Sequence, residues 1–157
     1  MPTITPSLWF DNDLEDAMRF YTGIFPNSSI DYVNRYTEAG PGTPGEVLSA
    51  GFTLDGTRFV GINGGPVFSF TEAVSFLIEC ADQAEVDYYW DALVAGGQES
   101  QCGWLKDRFG LSWQVVPSRL YELLSDPDEA RAVAATAAML GMRKIVIADL
   151  EAAVAHP

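Results

Sequence analysis

The fold of this chain can be worked out from residues 102–117, which read CGWLKDRFGLSWQVVP. Apolar residues stand on both sides of a turn at 107–110, where Gly110 can adopt the positive φ that a tight turn requires. The β-branched and aromatic run after the turn is typical of a strand. Because side chains alternate between the two faces of a strand, Gln114 points away from Trp113 and Val115. The segment therefore predicts a β-hairpin with one polar side chain, Gln114, opposite the packed face.

Length, composition and charge limit the classes of protein to consider. The chain has 157 residues, of which 48% are hydrophobic and 20% charged, as in an ordinary globular domain or two small modules with a shared core. Asp and Glu number 22 against 9 Lys and Arg, so the net charge is −13. Such a charge repels phosphate backbones and anionic lipid surfaces, and we expect neither nucleic acid nor a membrane as a partner.

The N-terminus and the cysteines predict where the protein works. The opening MPTITPSLWF has no basic region, and no apolar run approaches the roughly 18 residues that a membrane span needs. We therefore expect a cytoplasmic protein. Cys80 and Cys102 are the only cysteines, which favours free thiols, and no CxxC or Cys/His cluster indicates a zinc site.

The first half of the chain predicts one β-α-β-β-β unit. An N-cap formed by Asn12 with Glu15, or by Asp13 with Asp16, precedes apolar residues at helical spacing, and Asp55-Gly56 is a strong hairpin signal. The predicted elements are a strand at 4–10, a helix at 14–24, a strand at 30–36, a Gly/Pro-rich loop at 37–46, and strands at 48–54 and 58–62.

The second half repeats this order, which indicates an internal duplication. A strand at 75–80 is followed by a helix that begins at the capping box of Asp82 and Glu85, a short strand at 98–101 and the hairpin. Two constant offsets align the halves, and the matching pairs are Asp13 with Asp82, Tyr21 with Trp90, Phe25 with Val94, Gly56 with Gly110, and Val60 with Gln114. Each unit exposes an apolar sheet face that it cannot bury alone, so the two pair within one chain or across a dimer.

The remaining residues predict helices. A helix at about 127–140 carries an apolar stripe, a short apolar β-branched run follows at 142–147, and 148–154 is again helical. We interpret the stripe as a packing and dimer surface and expect a two-fold homodimer; its residues are Ala130, Val133, Ala134, Ala137 and Leu140. The prediction is an α+β domain at 1–120, with module one at 1–66 and module two at 67–120, and a C-terminal helical extension at 121–157.

Three long runs resemble the PhnB-like branch of the vicinal oxygen chelate superfamily, whose members include glyoxalase I and bleomycin resistance proteins. They lie at 8–26 (LWFDN and EDAMRFYTGIFP), 73–97 and 102–117. The resemblance implies paired β-α-β-β-β modules whose curved mixed sheets enclose a cup, often in a homodimer. Many members of this branch are named 3-demethylubiquinone-9 3-methyltransferase, yet this sequence has no Gly-rich turn of the Rossmann type.

The resemblance also implies four metal-ligand positions. They fall at Thr5 or Pro6, at Val60 or Gly61, at Ser75 and at Gln114. Among these residues only Gln114 is a good ligand, whereas a divalent first-row metal binds several imidazole or carboxylate groups. The sole histidine, His156, is interpreted as a disordered tail residue. We therefore predict a degenerate metal site and no cofactor.

Two residues are weak catalytic candidates. Asp107 could act as a general acid, although a carboxylate in a turn more often caps backbone N–H groups. Cys102 could act as a nucleophile if a positive charge lay close to it, but a buried small thiol is the simpler interpretation.

Four residues are ligand-binding candidates, and two functions remain open. Gln114 and Asn63 can orient a ligand by hydrogen bonds, and Trp9 and Trp104 can supply contact area. The first hypothesis is a metal-free protein that binds a small, partly hydrophobic molecule in its cup. The alternative is an enzyme of the superfamily: a metal-dependent lyase, a dioxygenase or the methyltransferase of the family label.

Overall fold

The computed structural model describes residues 1–157 and divides them into two compact units, Met1–Phe70 and Thr71–Pro157. Each unit has a four-stranded mixed sheet and the element order β-α-β-β-β, as predicted. Three further helices follow in unit two, so the α+β class is confirmed. None of the helices is both long and apolar enough to span a bilayer.

In unit one, strand pairing places the first strand beside the last. The elements are β1 (Ser7–Phe10), α1 (Leu14–Ile24), β2 (Ser29–Arg35), β3 (Val47–Leu54) and β4 (Thr57–Asn63). The order across the sheet is β1-β4-β3-β2, with β1 parallel to β4 and the other neighbours antiparallel. The predicted start of β1 was too early, because Ile4 is 98% exposed and pairing begins at Ser7.

The turn residues of the β3–β4 hairpin and the apolar stripe of α1 explain why these elements form. Asp55 and Gly56 both have positive φ, 44° and 78°, as a two-residue hairpin loop requires. Helix α1 buries its apolar stripe, and the Tyr21 ring stacks on Phe52 of β3 at a centroid distance of 6.4 Å. One face of the sheet is therefore covered by α1.

Unit two repeats this topology. Its elements are β5 (Ser75–Cys80), α2 (Gln83–Val94), β6 (Gln98–Glu99), β7 (Trp104–Lys106) and β8 (Ser112–Pro117), in the order β5-β8-β7-β6. Asp82 caps α2 by accepting a hydrogen bond from Glu85 N at 2.9 Å, and the Glu85 carboxylate accepts one from Ala81 N, the residue before the cap, at 2.7 Å. The identical strand order in both sheets confirms the predicted duplication.

The predicted hairpin is confirmed in strands β7 and β8. Leu105 pairs with Trp113 in antiparallel register, and Trp113 and Val115 are buried whereas Gln114 is half-buried. Both faces of β8 are largely covered, however, because Ser112 and Val116 on the face of Gln114 are also buried.

The C-terminal helices are α3 (Ser118–Leu124), α4 (Glu129–Leu140) and α5 (Ile147–Ala155). The sequence pattern did not predict α3, which is short and is fixed by burial of Leu120 and Leu123. The predicted stripe of α4 does not pack inward, since Val133 is 60% and Leu140 62% exposed, while Ala135 on the other side is buried in the core. Residues 142–147 form no strand.

Candidate functional site

The sheet of unit one has one covered face and one face that α1 leaves uncovered, which we call the open face. Side chains alternate along each strand, so Trp9 lies on the face opposite the buried residues Leu8 and Phe10. In register, Trp9 pairs with Ile62 of β4, and Ile62 pairs with Ser49 of β3. The open face thus presents Trp9 and Ile62 side by side.

Three contacts fix the indole of Trp9. Its Nε1 donates a hydrogen bond to Gly65 O at 2.9 Å, and its ring meets Phe68 edge to face at 4.9 Å. The ring also lies so close to Gly64 that a Cβ there would overlap it, which explains the glycine at this position. Trp9 is therefore a rigid, half-buried aromatic surface.

Hydrogen bonds of Tyr36 hold the loop at 37–46 beside this indole. The Tyr36 hydroxyl donates to Asn63 O at 2.8 Å, and the Tyr36 backbone exchanges hydrogen bonds with Glu46 O and Gly45 N at 2.8 and 2.9 Å. The ring lies against Gly42, where any side chain would overlap it. The Gly/Pro-rich loop is thus a folded wall of the open face.

Together these elements enclose the Trp9 cavity, a recess of about 350 Å³. Its apolar lining residues are Trp9, Tyr36, Pro41, Leu48 and Ile62, and its polar lining residues include Arg35 and Asn63. The volume lies at the small end of the range of roughly 300–1,000 Å³ that is usual for ligand pockets, and a mostly apolar wall with few polar groups is typical of them. Trp9 and Asn63, both predicted ligand contacts, meet in this cavity.

Asn63 is also a structural residue. It is only 6% exposed, its Oδ1 accepts a hydrogen bond from Leu14 N, and its Nδ2 donates one to Val47 O, both at 3.0 Å. The predicted side-chain caps of α1 were wrong, because Asp13 occupies the N-cap position without a cap bond and Asn63 supplies the acceptor. The role of Asn63 in ligand binding stays a prediction.

A second recess, the polar cavity, shares Arg35 and Asn63 with the Trp9 cavity. It measures about 360 Å³ and is also lined by Asn12, Glu15 and Glu46. The Arg35 guanidinium donates one hydrogen bond from Nη1 to Gly45 O at 2.9 Å. Arg35 therefore stands between an apolar recess and a polar one.

In unit two, the predicted contacts Gln114 and Trp104 are direct partners on strands β8 and β7 and lie on one face of the sheet. Gln114 Nε2 donates to Ser75 Oγ at 2.8 Å. Trp104 lines a small recess of about 150 Å³ with Lys106, and Gln114 is not among the residues that line it. Their ligand-binding roles stay predictions.

The side chains at the family's metal-ligand positions do not fit a divalent metal. Val60 has no donor atom, and in unit two Ser75 and Gln114 supply a hydroxyl and an amide that bond to each other. No cluster of three or more His, Cys, Asp or Glu side chains has the spacing to hold an ion. Neutral oxygen donors in this number are a poor set for a first-row metal.

The weak catalytic candidates lie in turns. Asp107 is 3% exposed, and its oxygens accept hydrogen bonds from Phe109 N, Leu111 N and Trp113 Nε1 at 2.8 to 3.1 Å. This carboxylate therefore holds the β7–β8 turn. Cys102 has a free thiol, lies at φ 57° just before β7 and is partly exposed.

Apart from Trp9 and Asn63, the residues that line the Trp9 cavity were not predicted from the sequence: Arg35, Tyr36, Thr37, Gly40, Pro41, Leu48, Ile62 and Gly64. Ile62 could have been found, because it lies two residues after Val60 and alternation places both on one face. The others come from two further strands and from the loops between strands, and no local pattern predicts that they meet.

Comparisons with known proteins identify relatives of about three quarters of the chain. A family model described as 3-demethylubiquinone-9 3-methyltransferase matches residues 2–116. A PhnB protein from Bacillus cereus, provisionally described as a 3-demethylubiquinone-9 3-methyltransferase, is 36% identical, with a TM-score of 0.69 over 74% of this chain and 100% of that chain. No curated protein matches the chain.

More distant structures share the fold alone. Protein PA1353 from Pseudomonas aeruginosa is 17% identical, with a TM-score of 0.62 over 74% of this chain and 98% of that chain. The genomically encoded fosfomycin resistance protein FosX from Listeria monocytogenes is 16% identical, with a TM-score of 0.54 over 78% of this chain and 97% of that chain.

Proposed function

Because the chain belongs to the 3-demethylubiquinone-9 3-methyltransferase family, in the PhnB-like branch of the vicinal oxygen chelate superfamily, we propose that it binds a small, partly aromatic molecule in the Trp9 cavity without a metal ion. The observation that carries the proposal is the cavity itself, about 350 Å³ with an indole, a phenol ring and aliphatic side chains in its wall. An apolar recess with a rigid aromatic side gains affinity by burying a planar ligand at little entropic cost.

The donor set supports binding without a metal. The resemblance implies ligand positions at Val60 or Gly61, at Ser75 and at Gln114, and these residues supply no imidazole or carboxylate. Within unit two, we propose Gln114 and Trp104 as ligand contacts in their own right, because they are partners on one face of its sheet.

A neutral fluorescent dye tests the proposal. N-phenylnaphthylamine should bind the purified protein with one site per chain, and Ile62→Glu should weaken it at least ten-fold, because a carboxylate would line the apolar wall. Ile4→Glu is the matched control, since Ile4 is 98% exposed and lies outside the cavity. Equal dye affinity in the two variants would refute binding in this cavity.

We also propose a homodimer that forms through the exposed stripe of α4. Val133 and Leu140 are 60% and 62% exposed and lie on the side of α4 away from buried Ala135. Burial of this side against a second copy removes apolar surface from water. Light scattering should give twice the chain mass of 17.1 kDa for the wild type and the monomer mass for Val133→Glu. A wild-type monomer at micromolar concentration would contradict the proposal.

We propose a cytoplasmic location, which the free thiols of Cys80 and Cys102 support. Cell fractionation should place the protein with cytosolic markers, and recovery from an oxidising compartment would contradict this.

A further inference from the structure

We infer that the molecule bound in the Trp9 cavity is an organic acid, with a planar apolar body against Trp9 and an anionic group on Arg35. The inference rests on the proposed function and adds the chemical class of the ligand. Arg35 lines both the Trp9 cavity and the polar cavity, so it stands where the apolar body of such a ligand would end.

Arg35 has no carboxylate partner, a property that it shares with Arg58. Acidic residues outnumber basic ones 22 to 9, so a cation readily finds a carboxylate partner. The cations with a carboxylate oxygen within 3.4 Å are Arg19, Lys106, Arg119, Arg131, Arg143 and Lys144. Arg35 lines two recesses and has no carboxylate within 4.0 Å. It therefore offers an anion a positive charge that no acidic side chain neutralises at contact distance.

The guanidinium of Arg35 makes one hydrogen bond within the protein and keeps N–H donors for a ligand. One of its five N–H groups donates to Gly45 O at 2.9 Å, and the residue is otherwise exposed at the end of β2. The remaining donors can hold a carboxylate in the two-bond geometry that a guanidinium favours. Of the acidic residues that line the polar cavity, Glu15 is paired with Arg19 at 2.8 Å.

Two dyes with a common apolar body test the inference. Anilinonaphthalene sulfonate is anionic, whereas N-phenylnaphthylamine is its neutral counterpart. We expect Arg35→Met to weaken the anionic dye about ten-fold more than it weakens the neutral dye, because only the anionic dye loses a charge-assisted hydrogen bond. Arg58→Met is the matched control: it removes the same charge from exposed Arg58 on β4, outside both cavities. The affinity of the anionic dye should also fall with added salt.

The outcomes separate the inference from the proposed function. If Arg35→Met and Arg58→Met bind the anionic dye equally well while Ile62→Glu loses the neutral dye, the inference is overturned and the proposed function stands. If the wild type binds neither dye, or if Ile62→Glu binds both as the wild type does, the proposed function fails and the inference fails with it. Selective loss of the anionic dye in Arg35→Met supports the inference.

Discussion

The hydrogen bonds of Asn63 predict a large loss of stability when its amide is removed. Asn63→Leu leaves two buried backbone groups without partners, the N–H of Leu14 and the carbonyl of Val47. Each unpaired group costs about 1–3 kcal/mol, so we expect a loss of about 3 kcal/mol. For a chain of this length that lowers Tm by roughly 6–12 °C.

Thermal melts followed by circular dichroism measure this loss of stability. Two further variants test whether it comes from the hydrogen bonds of Asn63. Asn34→Leu is the control, because exposed Asn34 bonds only to the Ser49 hydroxyl at 3.3 Å and its loss should cost less than about 0.5 kcal/mol. Asn63→Asp keeps an acceptor for Leu14 N but turns a second oxygen toward Val47 O, so it should also destabilise at pH 7. A Tm of Asn63→Leu within 2 °C of the wild type would refute the assignment of Asn63 as the cap of α1.

Three shorter predictions follow. Gln114→Leu should shift Tm by less than about 4 °C, because the half-buried amide bonds only to a serine hydroxyl; a larger drop would make Gln114 structural. Ellman's reagent should modify one thiol of the native chain, that of partly exposed Cys102, and both thiols in urea. Cys80 should not react in the native chain, because burial raises the pKa of its thiol to about 12. Rapid reaction of both native thiols would contradict this. A hydrogen bond from Arg131 holds the pKa of Asp126 below its usual value. The ionised Asp126 carboxylate therefore stabilises the fold above pH 4, and this stabilisation is lost as the pH falls through the lowered pKa. The urea midpoints of wild type and Asp126→Asn should therefore differ at pH 7 and converge below pH 4, and a constant difference would contradict the pairing.

Features that depend on neighbouring residues could be predicted from the sequence. The alternation around Gln114 and the positive-φ loop at Asp55-Gly56 follow from strand geometry and turn chemistry within a few residues. The duplicated topology follows from the same signals read twice. The residues that determine these features lie close together in the sequence, so a local pattern is enough to predict them.

Features that depend on distant residues could not be predicted. The cap of α1 comes from Asn63, 49 residues after Leu14, and the loop wall is held by a bond between Tyr36 and Asn63 across 27 residues. The side of α4 that packs on the core could not be predicted for another reason: an Ala-rich helix has weakly apolar residues on several sides, so only contact with the core decides which side is buried. Of the candidate site, the sequence therefore predicted Trp9 and Asn63 but not the residues that form the other walls.

Dye binding in the presence and absence of metal tests the central claim most directly. The neutral dye N-phenylnaphthylamine would be titrated into wild-type protein after treatment with EDTA, and again with excess Mn²⁺. We predict one dye per chain and the same affinity in both titrations, because the proposed binding in the Trp9 cavity uses no ion. Binding that disappears with EDTA and returns with Mn²⁺ would contradict it.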